Sequence, residues 1–235
     1  GATLGAVPAP AGYFERVGEI CDRHGVVFIA DEVMSGFGRT GKKFGIDHWG
    51  VTPDLIACAK GIAGGYAPLG AVIAKSEIVG EVRRRTGSFV IGHTSSGNPL
   101  SCAAGAAVLA YVHDHGLIEN ASATGAYFKE QLAGMMARHE MIGDVRGLGL
   151  LLGVELVRDR ATKEPFPAEW GVSKRIGDAT LRRGLVSYPG SGTADGVAGD
   201  HLLYAPPLTI APAQVDELIA ILDESLGAVA DELPS

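Results

Sequence analysis

A lysine and an aspartate each follow a short apolar stretch of this chain. Lys60 comes after residues 56–59 and before Gly61, and Asp31 comes after residues 25–30. Short apolar runs of this kind are typical of strands buried in a parallel sheet. In open α/β sheets ligands bind at the carboxyl ends of the strands, so we expect the acid and the amine at one crevice. We also expect Lys60 to be partly desolvated, which lowers the pKa of a lysine and favours its nucleophilic form.

An unprotonated amine forms an imine with an aldehyde, and a carboxylate keeps the nitrogen of an aromatic ring protonated. These are the two groups that pyridoxal phosphate requires from a protein. Two other interpretations use the same residues. Lys60 can be a strand-end lysine whose ammonium reaches water, and Asp31 and Lys60 can form a structural ion pair. The two positions alone leave these interpretations open.

Longer motifs surround both positions. They are Asp-Glu-Val-Met-Ser-Gly-Phe-Gly-Arg-Thr-Gly at 31–41, Pro-Asp-Leu at 53–55, Lys-Gly at 60–61, Gly-Gly-Tyr-Ala-Pro-Leu-Gly at 64–70, His-Thr-Ser-Ser-Gly-Asn-Pro-Leu at 93–100 and Ala-Pro-Pro-Leu at 205–208. In this order they resemble the class III aminotransferases, which are pyridoxal-phosphate enzymes. The resemblance implies an α/β chain with the PLP-dependent transferase fold of type I.

The resemblance implies catalytic roles for Lys60 and Asp31. Lys60 would form the Schiff base with pyridoxal 5'-phosphate and carry a proton between substrate and cofactor, while Asp31 would pair with the ring nitrogen. Val33 lies two residues further, on the same side of an extended segment, and would press on one face of the ring. Ordinary core packing is the alternative for Val33.

The segment 93–100 precedes a stretch of small and apolar residues. That pattern predicts a helix with Asn98 as N-cap and Pro99 in its first turn. The start of such a helix, together with the Thr94 hydroxyl, can hold a phosphate. The resemblance implies that Thr94 reaches the cofactor phosphate of a neighbouring protomer, and we count His93 with it as cofactor-binding. A hydroxyl-rich cap without a ligand is the alternative.

Two positions depart from the family pattern. Met34 stands where many members that transaminate ω-amino acids have a glutamine, and Tyr188 stands where amine:pyruvate transaminases often have an arginine for the acceptor carboxylate. An apolar residue at the first position resembles the amine:pyruvate type, which favours hydrophobic amines. A bidentate guanidinium for a carboxylate must then come from elsewhere. Arg39 is a candidate by charge, although we favour a structural role for it.

The resemblance covers a C-terminal portion of such an enzyme. We predict the latter part of the large α/β domain at residues 1–115, and a linking helix with a small α+β domain at 116–235. The phosphate loop of the family, and the aromatic residue that stacks on the ring, lie upstream of the Asp31 motif. A truncated product, a gene fragment and a natural two-chain enzyme would each explain this. We predict a split transaminase in which a second polypeptide supplies the N-terminal half, assembled as an α2β2 heterotetramer.

The predicted activity is transfer of an amino group between an amine or amino acid and a keto acid, with pyruvate as the expected acceptor. Two alternatives remain at this point. A racemase or aminomutase would use the same lysine and aspartate and the same cofactor, and a non-catalytic subunit would keep the fold without binding the cofactor.

Composition narrows the class of protein. Hydrophobic residues make up 46% and charged residues 20%, with a formal charge of −7, which does not suggest nucleic-acid binding. We expect no membrane span and no metal site. The three cysteines have neither zinc nor disulfide spacing, which fits the cytoplasm.

Apolar periodicity and glycine positions predict the remaining elements. We expect a helix at 12–24, a strand at 69–74, a helix at 117–140, a hairpin within 145–156, a loop at 190–196, and helices at 171–183 and 212–226.

Overall fold

The computed structural model describes residues 1–89 and 92–234. The chain divides into two compact units. The first unit is Ala9–Ile118, and the second combines Gly1–Pro8 with the residues from Glu119 onward. The predicted domains, 1–115 and 116–235, stay a prediction, and each unit is described by itself.

The first unit alternates helices with short strands. Its helices are α1 (Tyr13–His24), α2 (Ser76–Thr86) and α3 (Pro99–Asp114), its strands are β1 (Ile29–Asp31), β2 (Leu55–Cys58) and β3 (Ala71–Ala74), and two 3₁₀ segments cover Gly45–Trp49 and Lys60–Ala63. Helix α4 (Leu117–Met135) follows. The helix predicted at 12–24 is confirmed to within one residue.

The three strands form one sheet in the order β1-β2-β3. Strand β1 runs parallel to β2, with Asp31 opposite Ala57, whereas β3 is antiparallel to β2. The parallel pair brings the carboxyl ends of β1 and β2 to the same edge of the sheet. Asp31 closes β1 and Lys60 lies two residues past β2, as the sequence predicts.

The strand predicted from the apolar run at 25–30 is present and parallel to β2, but it is shorter and less buried than predicted. It is limited to Ile29–Asp31, and Val26, Val27 and Ile29 are 56%, 51% and 59% exposed. Val72 of β3 is 68% exposed as well. The described part of the first unit covers only the opposite side of β1, where Ala30 is buried.

The second unit is an antiparallel sheet with helices. Its strands are β4 (Ile142–Leu148), β5 (Leu151–Leu156), β6 (Tyr188–Ser191) and β7 (Asp200–Tyr204), and its helices include α5 (Val172–Arg182) and α6 (Pro212–Ala230). The strand order is β4-β5-β7-β6. The predicted hairpin and both helices are confirmed. The loop predicted at 190–196 is wrong at its start, because Gly190 pairs with His201 as part of β6.

The core of this unit lies on one face of the sheet. Leu152 and Leu202 point to that face and pack with Phe128 of α4, Ile176 of α5 and Leu222 of α6. Alternation along the strands puts Leu151 and Leu203 on the opposite face, where they contact Ala6. The N-terminal segment therefore covers the second face of this sheet.

Arg146 holds the N-terminal segment in place. Its guanidinium donates to the carbonyl oxygens of Leu4 and Gly5, both at 2.9 Å, and forms ion pairs with Asp144 and Glu155. Gly153 is required beneath the segment, since a Cβ there would lie 2.0 Å from the Gly5 carbonyl oxygen.

Candidate active site at the ends of two parallel strands

Lys60 is the first residue of a tight turn, and the apolar residues of this turn are buried. Ile62 and Ala63 of this turn are 8% and 1% exposed, while Lys60 itself is exposed. The expected desolvation of Lys60 is therefore wrong for this chain, because the turn buries the residues after the lysine and leaves its side chain uncovered. The backbone of Lys60 has φ +47°, a left-handed conformation that strains every residue with a Cβ.

Helix α3 supports the turn from the inside. Gly105 of α3 lies so close that an added Cβ would be 2.5 Å from Leu69 Cδ2 and 3.4 Å from the Ile62 carbonyl oxygen. Gly64, the residue after the 3₁₀ segment, would in the same way contact Val108 of α3. The small residues of α3 thus let the helix approach the backbone of the Lys60 turn.

The side chain of Met34 lies beside the Lys60 amine. The Lys60 Nζ donates to Met34 Sδ at 2.7 Å. A thioether is a weak acceptor and cannot donate a hydrogen bond. Met34, which the sequence shows as a departure from the family pattern, is thus in contact with the amine.

Asp31 is exposed at the end of β1. Its Oδ1 accepts a hydrogen bond from the Val33 backbone N–H at 3.0 Å, which turns the chain immediately after the strand. The premise that Asp31 and Val33 share one side of an extended segment is therefore wrong, since Val33 lies in a turn. Val33 is half-buried beside the aspartate.

Glu32 is a residue whose importance the sequence did not reveal. It is 3% exposed, and its carboxylate accepts from the backbone N–H groups of Gly45 at 2.8 Å and Ile46 at 2.7 Å and from the Ser35 hydroxyl at 2.6 Å. The signal that the sequence offers for Glu32 is a carboxylate at the end of an apolar strand. Ser35 is three residues away, but the two backbone partners are thirteen and fourteen residues away in the sequence, so no local pattern identifies them.

His93 and Thr94 lie in an exposed turn before α3. The His93 N–H donates to Ser96 Oγ at 3.1 Å, and the Ser96 N–H donates to the His93 carbonyl oxygen at 2.9 Å. Among the described residues, no hydrogen bond joins this turn to Lys60 or Asp31. The structure brings Asp31, Val33 and Lys60 to one sheet edge, and keeps His93 and Thr94 in a separate turn of the same unit.

The predicted cap of α3 is confirmed, with a consequence for anion binding. Asn98 Oδ1 accepts from the backbone N–H groups of Leu100 and Ser101, both at 3.1 Å, and Pro99 is the first residue of the helix. These two N–H groups are taken by the cap. The expectation that backbone N–H groups at this helix start bind phosphate is therefore wrong for Leu100 and Ser101.

Two further candidates for substrate binding differ in their surroundings. Burial lowers the pKa of Arg39, which agrees with the structural role that we favour for it. Tyr188 is 69% exposed in β6 of the second unit.

Metal and membrane features are absent from the part of the chain that the structure describes. Residues 1–89 and 92–234 contain no cluster of three or more histidine, cysteine, aspartate or glutamate side chains suited to a metal ion. In the same residues, no helix combines the length and apolar character needed to cross a membrane.

Comparison with known proteins identifies the family. The model of the family described as Aminotransferase class-III matches residues 2–226. The chain belongs to the class III aminotransferase family. Members of this family depend on pyridoxal phosphate, so the predicted family and cofactor class are confirmed.

Several known proteins are similar to this class III chain in sequence and in fold. The protein named Uncharacterized aminotransferase YodT of Bacillus subtilis is 41% identical over 99% of this chain and 52% of its own length. A transaminase from the marine bacterium Virgibacillus has a TM-score of 0.93 at 35% identity, over 98% of this chain and 51% of that one. An amine transaminase from an uncultivated Pseudomonas species, solved in the PLP-bound form, has a TM-score of 0.88 at 36% identity, over 96% of this chain and 50% of that one.

These neighbours confirm fold type I for the class III chain. The chain spans about half the length of the curated relatives that it matches, in keeping with the predicted correspondence to a C-terminal portion.

Proposed function

We propose that this chain is one subunit of a transaminase that moves an amino group between an amine or amino acid and a keto acid through a Schiff base on Lys60. The observation that carries the proposal is the pairing of β1 with β2. It places the Asp31 carboxylate and the Lys60 turn at one edge of the sheet, and both residues are exposed there.

The residues at this edge fit pyridoxal phosphate by their chemistry. Lys60 offers a primary amine, and the side chain in contact with it is the uncharged thioether of Met34. Asp31 offers a carboxylate of which Oδ1 accepts one backbone N–H, which leaves Oδ2 as the acceptor for a protonated ring nitrogen. When bound, the cofactor supplies an electron sink for the carbon that loses its proton.

Three residues of this chain would have separate roles in the reaction. Lys60 Nζ would hold the cofactor and, when its amine is free, would act as the base that takes the substrate α-proton and as the acid that returns a proton. Asp31 holds the proton on the ring nitrogen, because a carboxylate beside a cation favours the charged form. Val33, which is half-buried in the turn after Asp31, would contact one face of the ring, as the family resemblance implies.

The segment of His93 and Thr94 is proposed to hold the phosphate of the cofactor in a neighbouring protomer. Both side chains are exposed, which leaves the Thr94 hydroxyl accessible as a donor. Since Asn98 takes the N–H groups of Leu100 and Ser101, we assign this role to the Thr94 hydroxyl and the ring of His93 and not to those two backbone groups.

The proposed substrates follow from Met34 and Tyr188. A thioether beside the Lys60 amine is an apolar neighbour, which suits hydrophobic amines, and we propose pyruvate as the acceptor. Tyr188 stands where amine:pyruvate transaminases often have an arginine, so this position offers no bidentate guanidinium for the acceptor carboxylate. A high KM for the keto acid is the expected consequence.

We further propose that a second polypeptide supplies the other half of the fold in an α2β2 assembly. The open edge and exposed side chains of β1 support this, because unpaired strand edges with apolar side chains promote aggregation unless they are covered. Helix α3 gives independent support. It is apolar around its whole circumference, which is typical of buried helices, yet Leu100 and Tyr111 are 78% and 51% exposed.

A cytoplasmic location is part of the same proposal. Cys21, Cys58 and Cys102 are all unpaired, as expected for a protein kept in a reducing compartment.

The experiment is native mass spectrometry of the assembly isolated from its source, followed by borohydride reduction and peptide mapping. We expect a second polypeptide and a pyridoxyl group on Lys60. Lys60→Ala should abolish both the adduct and amino-group exchange, whereas Lys75→Ala, which removes another exposed lysine of the first unit, should retain both. An assembly that carries no pyridoxyl group on Lys60 would refute the Schiff-base proposal, and a retained amino group after turnover would favour the racemase or aminomutase.

A further inference from the structure

Glu32 joins four parts of the first unit. Its backbone N–H donates to the Ala57 carbonyl oxygen of β2 at 2.9 Å, and its own carbonyl oxygen accepts from the Gly36 N–H at 3.0 Å. Its carboxylate accepts from Ser35, Gly45 and Ile46. One buried residue therefore connects the ends of both parallel strands to the start and the return of the loop that follows Asp31.

The loop that Glu32 closes lies against the Lys60 turn. A Cβ built on Gly61 would be 3.4 Å from both the Gly36 carbonyl oxygen and Phe37 Cβ. Gly61, the residue after the lysine, therefore lies close to this loop, with room for no more than one added carbon atom between them. Met34 belongs to the same loop and contacts Lys60 Nζ, so the loop lies beside Gly61 and contacts the lysine amine.

The Glu32 carboxylate is closely surrounded. A Cβ on Gly45 would lie 2.8 Å from Ser35 Cβ and 3.2 Å from Glu32 Oε2, so even one methyl group is not accommodated without movement. Burial, and to a lesser degree the Glu32 carboxylate, raise the pKa of Cys58 at the end of β2.

We propose that Glu32 is a positioning residue that sets the placement of Lys60 relative to Asp31 by holding the loop of residues 33–46 closed. The proposal rests on the proposed function of Lys60. Glu32 contacts neither substrate nor cofactor in this account. It acts through Gly36 and Phe37, which lie beside Gly61, through Met34, which contacts the lysine amine, and through its covalent neighbour Asp31.

The test uses Glu32→Gln in the intact assembly. The amide keeps the shape of the side chain and one acceptor oxygen, but its NH₂ group faces at least one of the donors of Gly45, Ile46 or Ser35 and leaves it unpaired. A matched control is Asp200→Asn in the second unit. Asp200 is also 3% exposed and accepts from a backbone N–H and a hydroxyl, both of Ser173, so this variant reproduces the loss of a buried carboxylate in the other unit.

We expect Glu32→Gln to lower kcat by about 10- to 100-fold, because small displacements of a reacting group are costly, and to leave the KM for the amine unchanged. The yield of pyridoxyl-Lys60 after borohydride at limiting cofactor should fall in parallel, and amide exchange at Gly45 or Ile46 should become faster. Asp200→Asn should leave kcat, adduct yield and the exchange of these two amides as in the parent.

Other outcomes decide against the proposal. A Glu32→Gln assembly with the parental kcat and adduct yield overturns it even if stability falls, and so does an equal loss in Asp200→Asn. If Glu32→Gln does not fold, Ser35→Ala removes one of the three donors and should cause a smaller decrease in the same two quantities. A folded Ser35→Ala assembly with the parental kcat and yield then overturns the proposal. Absence of the adduct in the parent refutes the function of Lys60 itself.

Discussion

Replacing Lys60 with glycine should give a more stable protein than replacing it with alanine. Lys60 has φ +47°, and alanine inherits the left-handed strain of about 1–2 kcal/mol, whereas glycine does not. Glycine loses about 0.4–1 kcal/mol because its unfolded chain is freer. The difference leaves about 1 kcal/mol in favour of glycine, or about 2–4 °C in Tm for a chain of this size.

The measurement is urea unfolding of Lys60→Gly and Lys60→Ala in the intact assembly, with both variants lacking the amine. The control pair is Lys129→Gly and Lys129→Ala, at a lysine within helix α4 whose Nζ donates to the Gly147 carbonyl oxygen. There the order should reverse, with glycine less stable by about 1 kcal/mol. If alanine is the more stable residue at position 60 as well, the strain argument is wrong.

Three further predictions concern stability. Gly125→Ala should destabilise the protein by about 3 kcal/mol or more, because the added Cβ would lie 2.3 Å from the Gly149 carbonyl group. Gly134→Ala on the same helix has nothing within 4 Å of the added Cβ and should be neutral or stabilising. The denaturant midpoints of the two variants test this difference. Tyr204→Phe should cost less than about 1 kcal/mol or stabilise, because the buried hydroxyl has no hydrogen-bond partner among the described residues; calorimetry that shows a larger loss would contradict this. Hydrogen bonds from Lys75 and from the Phe28 N–H hold the pKa of Asp54 below its usual value. The stabilising effect of Asp54 is therefore complete above the unfolded pKa of about 3.9 and is lost as the pH falls through the lower folded pKa. Unfolding midpoints measured against pH should fall less steeply in acid for Asp54→Asn than for the parent, and equal slopes would contradict the assignment.

Local patterns predicted the parts of the fold that local interactions determine. The Asn98 cap and Pro99 identify the start of α3 because a side-chain acceptor must satisfy the first N–H groups of a helix. Asp31 and Lys60 were identified because apolar strands end next to polar residues at a sheet edge. The exposure of Val26 and Ile29 was not predictable, since the sequence shows that a residue is apolar but not which surface covers it.

Two other differences between prediction and structure concern Val33 and Glu32. The first has a local cause, and the second depends on residues that are distant in the sequence. The two-residue spacing of Val33 from Asp31 predicts a shared side of an extended segment, but the Asp31 carboxylate accepts the Val33 N–H and turns the chain. The sequence identifies Glu32 only as part of a motif. Its role depends on the return of the chain at Gly45 and Ile46, and the two-residue periodicity of a strand contains no information about that closure.

The Asn98 cap also bears on the proposed second polypeptide. A phosphate needs several donors, and a helix start ordinarily supplies them from its backbone. In α3, Asn98 occupies the N–H groups of Leu100 and Ser101, so Thr94 and His93 would act without these two groups. Under the proposed two-chain assembly, the second polypeptide would supply further donors and would also cover the exposed side chains of β1. One additional subunit would then serve both purposes.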